Sequence, residues 1–318
     1  MAMVLRSLLS LLSPGGARGR LSILIYHRVL PAPDPLLPGE PDAARFQWQM
    51  QLLARHFNPL PLAEAVRRLR DGTLPPRAAC VTFDDGYADN AEVALPLLRS
   101  VGVPATFFIA VGYLNGGRMF NDTLIETVRR LPEGEVDLTP EGLGRRRVAS
   151  DSDRIALCKA LIGQFKYQPP AVRNRGVEAL PERLGITVPD DLMMTSGQLR
   201  GLADAGMEIG GHTLTHPILA RQSAPEARQE IEAGREALEG MLGQRVRLFA
   251  YPNGRPGTDY APEHVDMVRD CGFEAAVSTA AGAAGPASDP YQLPRFTPWD
   301  RTPGRFALRL ARNLAGRA

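Results

Sequence analysis

Val81-Thr82-Phe83-Asp84-Asp85-Gly86-Tyr87 sets the terms on which the rest of the chain is read. Apolar and β-branched residues run into two adjacent carboxylates and a glycine. That is the pattern of a buried strand delivering two acids to its C-terminal end. An ionised carboxylate is costly to bury unless it is paired, hydrogen-bonded or bound to a metal. Two in succession are costlier, because like charges raise each other's pKa. The same letters also fit a strand closed by an Asp-Gly turn, with Asp84 or Asp85 capping the next helix. The segment alone does not separate the two readings.

Runs with strand character recur at 21–27, 78–84, 104–111, 207–210, 246–251 and 273–279. Helical periodicity lies between most of them, at 45–56, 89–101, 224–242 and 262–271. This alternation implies an α/β fold with parallel strands. Polar candidates gather at the C-terminal ends of four strands, where a (β/α) barrel builds its active site. Residues 116–197 break the rhythm and are read as a helical insertion, Arg-rich and interrupted by Pro169-Pro170. The expected division is a leader at 1–20, a barrel at 21–300 and a basic C-terminal helix at 301–318.

The chain has five histidines, and two of them form Gly210-Gly211-His212-Thr213-Leu214-Thr215-His216-Pro217. At i, i+4 a single helical turn puts both imidazoles on one side. Pro217 disfavours helix at His216, so a lone turn within a loop is expected. Two His and one carboxylate make a complete protein ligand set for a catalytic divalent metal, with positions open for water and substrate.

Thr82-Phe83-Asp84-Asp85-Gly86 and His212-Thr213-Leu214-Thr215-His216 resemble, in order, the first two motifs of the polysaccharide deacetylases, the NodB-homology carbohydrate esterases. The resemblance implies an irregular (β/α)7 barrel, and it implies Asp84 as general base. Asp85, His212 and His216 are then ligands of a divalent metal, most often zinc, with cobalt, nickel or iron as alternatives. Val246-Arg247-Leu248-Phe249-Ala250-Tyr251-Pro252-Asn253-Gly254 resembles the third motif, which implies that the Tyr251 backbone N–H faces the oxyanion. The family's Arg before this element is absent, since Phe249 and Ala250 stand there. Arg295, in Leu293-Pro294-Arg295-Phe296, is the candidate to orient Asp84, with Arg247 second.

The family's late Leu-x-His acid is also absent. His27 instead ends the apolar run Leu21-Ser22-Ile23-Leu24-Ile25-Tyr26, and in a closed barrel the first and last strands are neighbours. Tyr26-His27-Arg28-Val29 resembles the circularly permuted branch that includes bacterial poly-N-acetylglucosamine deacetylases, which implies His27 as general acid. Asp84, His27, Tyr251 and Arg295 thus form the expected catalytic set. Tyr251, Trp299, Asn121 and Asp122 are the substrate-binding candidates, although Asn121 or Asp122 also fits the N-cap of a helix.

The implied reaction is metal-dependent removal of N-acetyl groups from an acetylated polysaccharide, an exopolysaccharide or its precursor. A catalytically inactive carbohydrate-binding relative is one alternative. A non-haem iron enzyme is another, since two His and one carboxylate serve it too, but such an enzyme has no need of the extra base Asp84.

A net charge of +2 carries no polyanion signature, so no nucleic-acid partner is expected. Cys80, Cys158 and Cys271 are odd in number and far apart, which suggests no disulfide framework. The first residues are mildly apolar, broken by Arg6, and lack a clear small-residue cleavage site. They are read as an amphipathic leader helix, with a weak export signal as the alternative. The expectation is a cytoplasmic or membrane-peripheral protein, with periplasmic export as the alternative. The termini are expected to touch a membrane surface or a biosynthetic partner.

Overall fold

Every residue of Leu21–Tyr26 and of Ala78–Phe83 is buried, and their side chains alternate between two apolar surroundings. Leu21, Ile23, Ala78 and Cys80 share an inner cluster with Phe108, Leu248 and Val277. Leu24, Tyr26, Val81 and Phe83 instead pack outward with Phe46, Met50 and Leu53 of the helix Ala43–His56. Burial on both faces is what a parallel strand covered by helices requires.

The computed structural model describes residues 2–316. In chain order the strands are β1 Leu21–Tyr26, β2 Asn58–Pro59, β3 Ala78–Phe83, β4 Ala105–Ile109, β5 Gly134–Leu138, β6 Gly144–Val148, β7 Glu208–Gly211, β8 Leu248–Ala250, β9 Ala275–Ala281 and β10 Leu293–Arg295. The main sheet runs β1-β3-β4-β7-β8-β9-β10, all parallel, and β2 joins the start of β3. Just beyond β10, Phe296 pairs with Leu24 of β1: Phe296 N–H donates to Ile23 O at 2.7 Å and Ile25 N–H to Phe296 O at 3.1 Å. These bonds bring the two ends of the sheet together. The architecture is the irregular (β/α)7 barrel; of the seven strands from β1 to β10 in that order, β10 is the one that the sequence pattern does not mark.

The N-terminal end of the barrel is plugged by the helix Leu62–Arg70, whose Leu62, Ala65 and Leu69 enter the inner cluster. The Glu208 carboxylate accepts from Leu62 N–H and Thr106 Oγ1 at 2.7 and 2.8 Å, and so caps that helix's positive end. The C-terminal helix Pro303–Leu314 buries Phe306, Leu310 and Leu314 in the outer core. Its Asn313 Nδ2 donates to Ser22 Oγ of β1 at 3.0 Å. The expected basic helix is therefore built into the barrel wall.

Contacts divide the chain into two units, the barrel at 1–32, 39–114 and 194–318, and a second at 33–38 and 115–193. The second unit has its own core around Leu124, Val128, Leu161, Phe165 and Leu180. Besides the helices Phe120–Arg130, Asp151–Phe165 and Pro170–Arg183 it carries the antiparallel ribbon β5–β6. Among the described residues no helix is long and apolar enough to cross a membrane. Cys80, Cys158 and Cys271 are free thiols.

Candidate active site

Period-two alternation carries Thr82 and Asp84 onto the inner face that holds Cys80. Asp84 meets Arg295 of β10 there, across β1, in a two-pronged ion pair with both N···O distances 2.7 Å. Arg295 is also fixed by donating to Ser278 O at 2.8 Å and to Thr82 Oγ1 at 3.3 Å. Its side chain is fully buried. Burial alone would raise the Asp84 pKa, but Arg295 and then His212 outweigh it and hold the carboxyl below its ordinary value. Arg247, the second candidate partner, is exposed and lines a cleft with Glu64, Arg67 and Arg70 instead.

Asp85 breaks the strand period. Its φ of 81° is left-handed, and Gly86 follows at 96°, so the chain turns away and the two carboxylates point apart. Asp85 Oδ1 lies 3.4 Å from both His212 Nε2 and His216 Nε2. Burial opposes its charge, but His212 and His216 hold its pKa well below the ordinary range.

The two histidines are not brought together by a helical turn. Residues 212–216 form a loop in which Thr213 and His216 are left-handed, at φ 64° and 53°. Thr213 Oγ1 accepts from His216 N–H at 3.0 Å and so stitches the loop to itself. The Glu230 carboxylate accepts from Leu214 N–H at 3.0 Å, Thr215 N–H at 2.7 Å and Thr215 Oγ1 at 2.6 Å. Nothing in the sequence distinguishes Glu230 from the other acids of its helix Ala224–Leu242. Gly234 of that helix packs so closely that a Cβ there would meet the Thr213 carbonyl carbon at 2.6 Å. Gly234→Ala should therefore displace the loop. We expect a loss of about 1–3 kcal/mol in unfolding free energy, together with weaker metal binding measured by titration. Wild-type metal affinity in this variant would mean that the loop does not depend on this packing.

His212 Nδ1 lies 2.7 Å from the Ala250 carbonyl, so it carries the proton and leaves Nε2 a lone pair. Burial opposes protonation of His212, but Asp85 and Asp84 raise its pKa above the ordinary value. Burial lowers that of His216 to about 4. Asp85 Oδ1 is buried and meets no hydrogen-bond donor among the described residues. This oxygen and the two histidine nitrogens lie within 4.8 Å of one another. An orphaned carboxylate oxygen facing two imidazole nitrogens fits a divalent cation, and the one-oxygen, two-nitrogen set suits zinc or a neighbouring transition ion.

His27 follows β1 and lines a cavity of about 280 Å³ with Glu40, Thr279, Thr297 and Trp299. It is near enough for its charge to act on Asp84, Asp85 and His216. Trp299 is 66% exposed at the same cavity.

Tyr251 does not have the place expected of it. Its N–H donates to Val277 O of β9 at 3.3 Å, so the sheet ladder continues through it. Its ring is fully buried, stacked on Tyr260 with centroids 3.9 Å apart, and its hydroxyl donates to Tyr291 O at 3.0 Å. It therefore offers neither an oxyanion donor nor a sugar platform. Two residues on, Asn253 is left-handed at φ 58°, and its N–H meets no acceptor among the described residues. The Pro252-Asn253-Gly254 turn was the available cue for it. Asn121 and Asp122 lie in the first turn of Phe120–Arg130 in the second unit, where Met119 takes the N-cap position. Asp122 is buried. His264, outside the site, caps its own helix by accepting from Ala261 N–H at 2.9 Å.

The C-terminal rim of the barrel thus sets an Arg-braced carboxylate beside an Asp-His-His donor set. Residues 71–137 and 181–276 match the polysaccharide deacetylase family, and the chain belongs to it. The unmatched stretch between them falls within the second unit. Among curated proteins, the chain is 21% identical over 277 residues to YxkH of Bacillus subtilis strain 168, classed with the polysaccharide deacetylases. That alignment covers 87% of this chain and 70% of YxkH. Among solved structures, the deacetylase PplD of Streptococcus pyogenes, in complex with acetate, has a similar fold. Its TM-score is 0.62 at 19% identity, over 92% of this chain and 99% of PplD. IcaB of Ammonifex degensii gives 0.60 at 20% identity, over 96% and 99%. Family membership makes the protein a deacetylase acting on acetylated polysaccharide.

Proposed function

We propose that the protein removes N-acetyl groups from acetamido sugars of an exopolysaccharide or its precursor, with a divalent metal held by Asp85, His212 and His216. The observation that carries this reading is the division of labour between adjacent acids: Asp85 faces two imidazoles while Arg295 holds Asp84 apart from them. A cation in that donor set supplies Lewis acidity toward the acetyl carbonyl and lowers the pKa of water to about 7. Asp84 accepts the proton of the attacking water, and Arg295 keeps both of its oxygens in place. The water oxygen bonds to the carbonyl carbon, and the Asn253 N–H takes over from Tyr251 the part of oxyanion donor. His27 gives a proton to the nitrogen as the C–N bond breaks, because an amine anion is not a competent leaving group. Acetate and a free amino sugar result. PplD was solved with acetate, which is consistent with this product. Trp299, at the cavity's edge, offers an indole face to a sugar ring. An inactive sugar binder would have no use for a charged base held this deep.

Leu11 and Leu308 are exposed on the terminal helices near the exposed Arg6 and Arg305 in sequence. This supports a contact with a membrane surface or a biosynthetic partner and a membrane-peripheral location.

A chelator should abolish acetate release from an N-acetylglucosamine oligomer, and added zinc or cobalt should restore it. Because the His212 pKa is raised, protons compete for its lone pair already above the ordinary histidine value. Metal affinity should therefore fall as pH drops through that range. Full turnover in the presence of chelator would sink the metal-dependent reading.

A further inference from the structure

We propose that Asp89 and Asn90 are positioning residues that fix His27 over the site, so that one loop places the base, a metal ligand and the proton donor. The inference rests on the reading of His27 as the acid.

Among the described residues, nothing hydrogen-bonds the His27 imidazole, so its backbone must set its place. Asn90 Nδ2 donates to His27 O at 2.9 Å and to Asp89 Oδ1 at 3.1 Å. Asp89 Oδ1 also accepts from Val29 N–H at 3.1 Å, and Asp89 Oδ2 pairs with Arg28 Nε at 2.7 Å. Residues 27, 28 and 29 are thus each bonded to Asp89 or Asn90. Arg28 is held further by lying 4.8 Å over the Tyr87 ring.

The clamp is internal: Asn90 is fully buried and Asp89 is 6% exposed. Asn90 Oδ1 meets no donor among the described residues. A buried amide with one end unsatisfied is a cost that packing alone does not explain. The turn Asn90–Ala94 is a π-helix, a widened and rare form frequent at functional sites.

The test compares two substrates. Amide hydrolysis of an N-acetylglucosamine oligomer needs a proton donor, whereas 4-nitrophenyl acetate has a leaving group that departs as an anion. Asn90→Ala should lower kcat on the amide roughly 10- to 100-fold, with KM and ester turnover at wild-type values. His27→Ala should show the same selectivity with a loss of about 10²–10⁴. Equal loss on both substrates in folded, metal-loaded Asn90→Ala would overturn the proposal, as would unchanged amide turnover. Asp89→Asn, nearly isosteric, should show the same selective loss and serves if Asn90→Ala does not fold; unchanged amide turnover there also overturns the proposal. If His27→Ala itself shows no selectivity, the reading of His27 as the acid falls, and the proposal with it. If His27→Ala is selective and the clamp variants are not, the proposal alone falls.

Discussion

Asp84→Asn should bind its metal stoichiometrically and release acetate about 10³-fold more slowly than wild type, within the usual range for a general base. The candidate metal donors are on Asp85, His212 and His216, and the left-handed turn at Asp85 keeps them separate from Asp84. The variant has a second effect, because Arg295 remains a fully buried charge with only a neutral amide to meet it. Some stability should be lost, and unfolding must be measured beside kcat. The double variant Asp84→Asn/Arg295→Met separates the two effects. It removes the stranded charge, so it should recover stability while remaining inactive. Wild-type turnover in Asp84→Asn would remove Asp84 from the mechanism.

Arg295→Met should be the most damaging single change to the fold. It leaves the Asp84 carboxylate buried without a partner, which typically costs about 3–5 kcal/mol. The pH dependence gives the sign. In the wild type the folded pKa is depressed, so the stabilisation is complete above the unfolded value of about 4 and fades as pH falls through the lower folded pKa. In Arg295→Met burial dominates and the folded pKa is raised. Protonation then favours the folded variant, which gains stability as pH falls through that raised value. The gap between the two proteins in urea unfolding should therefore be widest near pH 7 and narrow toward pH 4. A gap independent of pH would mean that Asp84 is not the group left stranded.

The regular part of the barrel is legible in the sequence because its strands are short apolar runs separated by helical periodicity. The strand β10 is not, because Leu293-Pro294-Arg295 is three residues long with a proline at its centre. Its register with β9 shifts even within that length. In the second unit, β5 and β6 carry Glu135, Asp137, Arg145, Arg146 and Arg147, whose charges hide the strand period. Spacing marked the His pair and the family resemblance implied Asp85 as its partner, but the geometry of the set could not be read from either. Helical logic predicted one face at i, i+4, whereas left-handed Thr213 and His216 accomplish the approach. Tyr251 shows the limit of strand-end reasoning. One more residue of ladder consumed the N–H expected to be free, and only the pairing with Val277 reveals it. Arg295 was a candidate because the family's usual Arg is absent before Tyr251, although its strand was not foreseen. Both Arg295 and His27 lie outside the stretches that match the family.

The pair that closes the barrel also imposes an order of events on synthesis. Arg295 lies 211 residues after Asp84. At ordinary ribosomal speeds the guanidinium emerges roughly 10–40 s after the acid it neutralises. During that interval β4, β7, β8 and β9 follow β1 and β3, still without the strand that joins the sheet's ends. Asp84 must stay hydrated until then, because dehydrating it alone is the costly step. The pairing of Asp84 and the closure of the sheet therefore wait on the same late segment, 293–296.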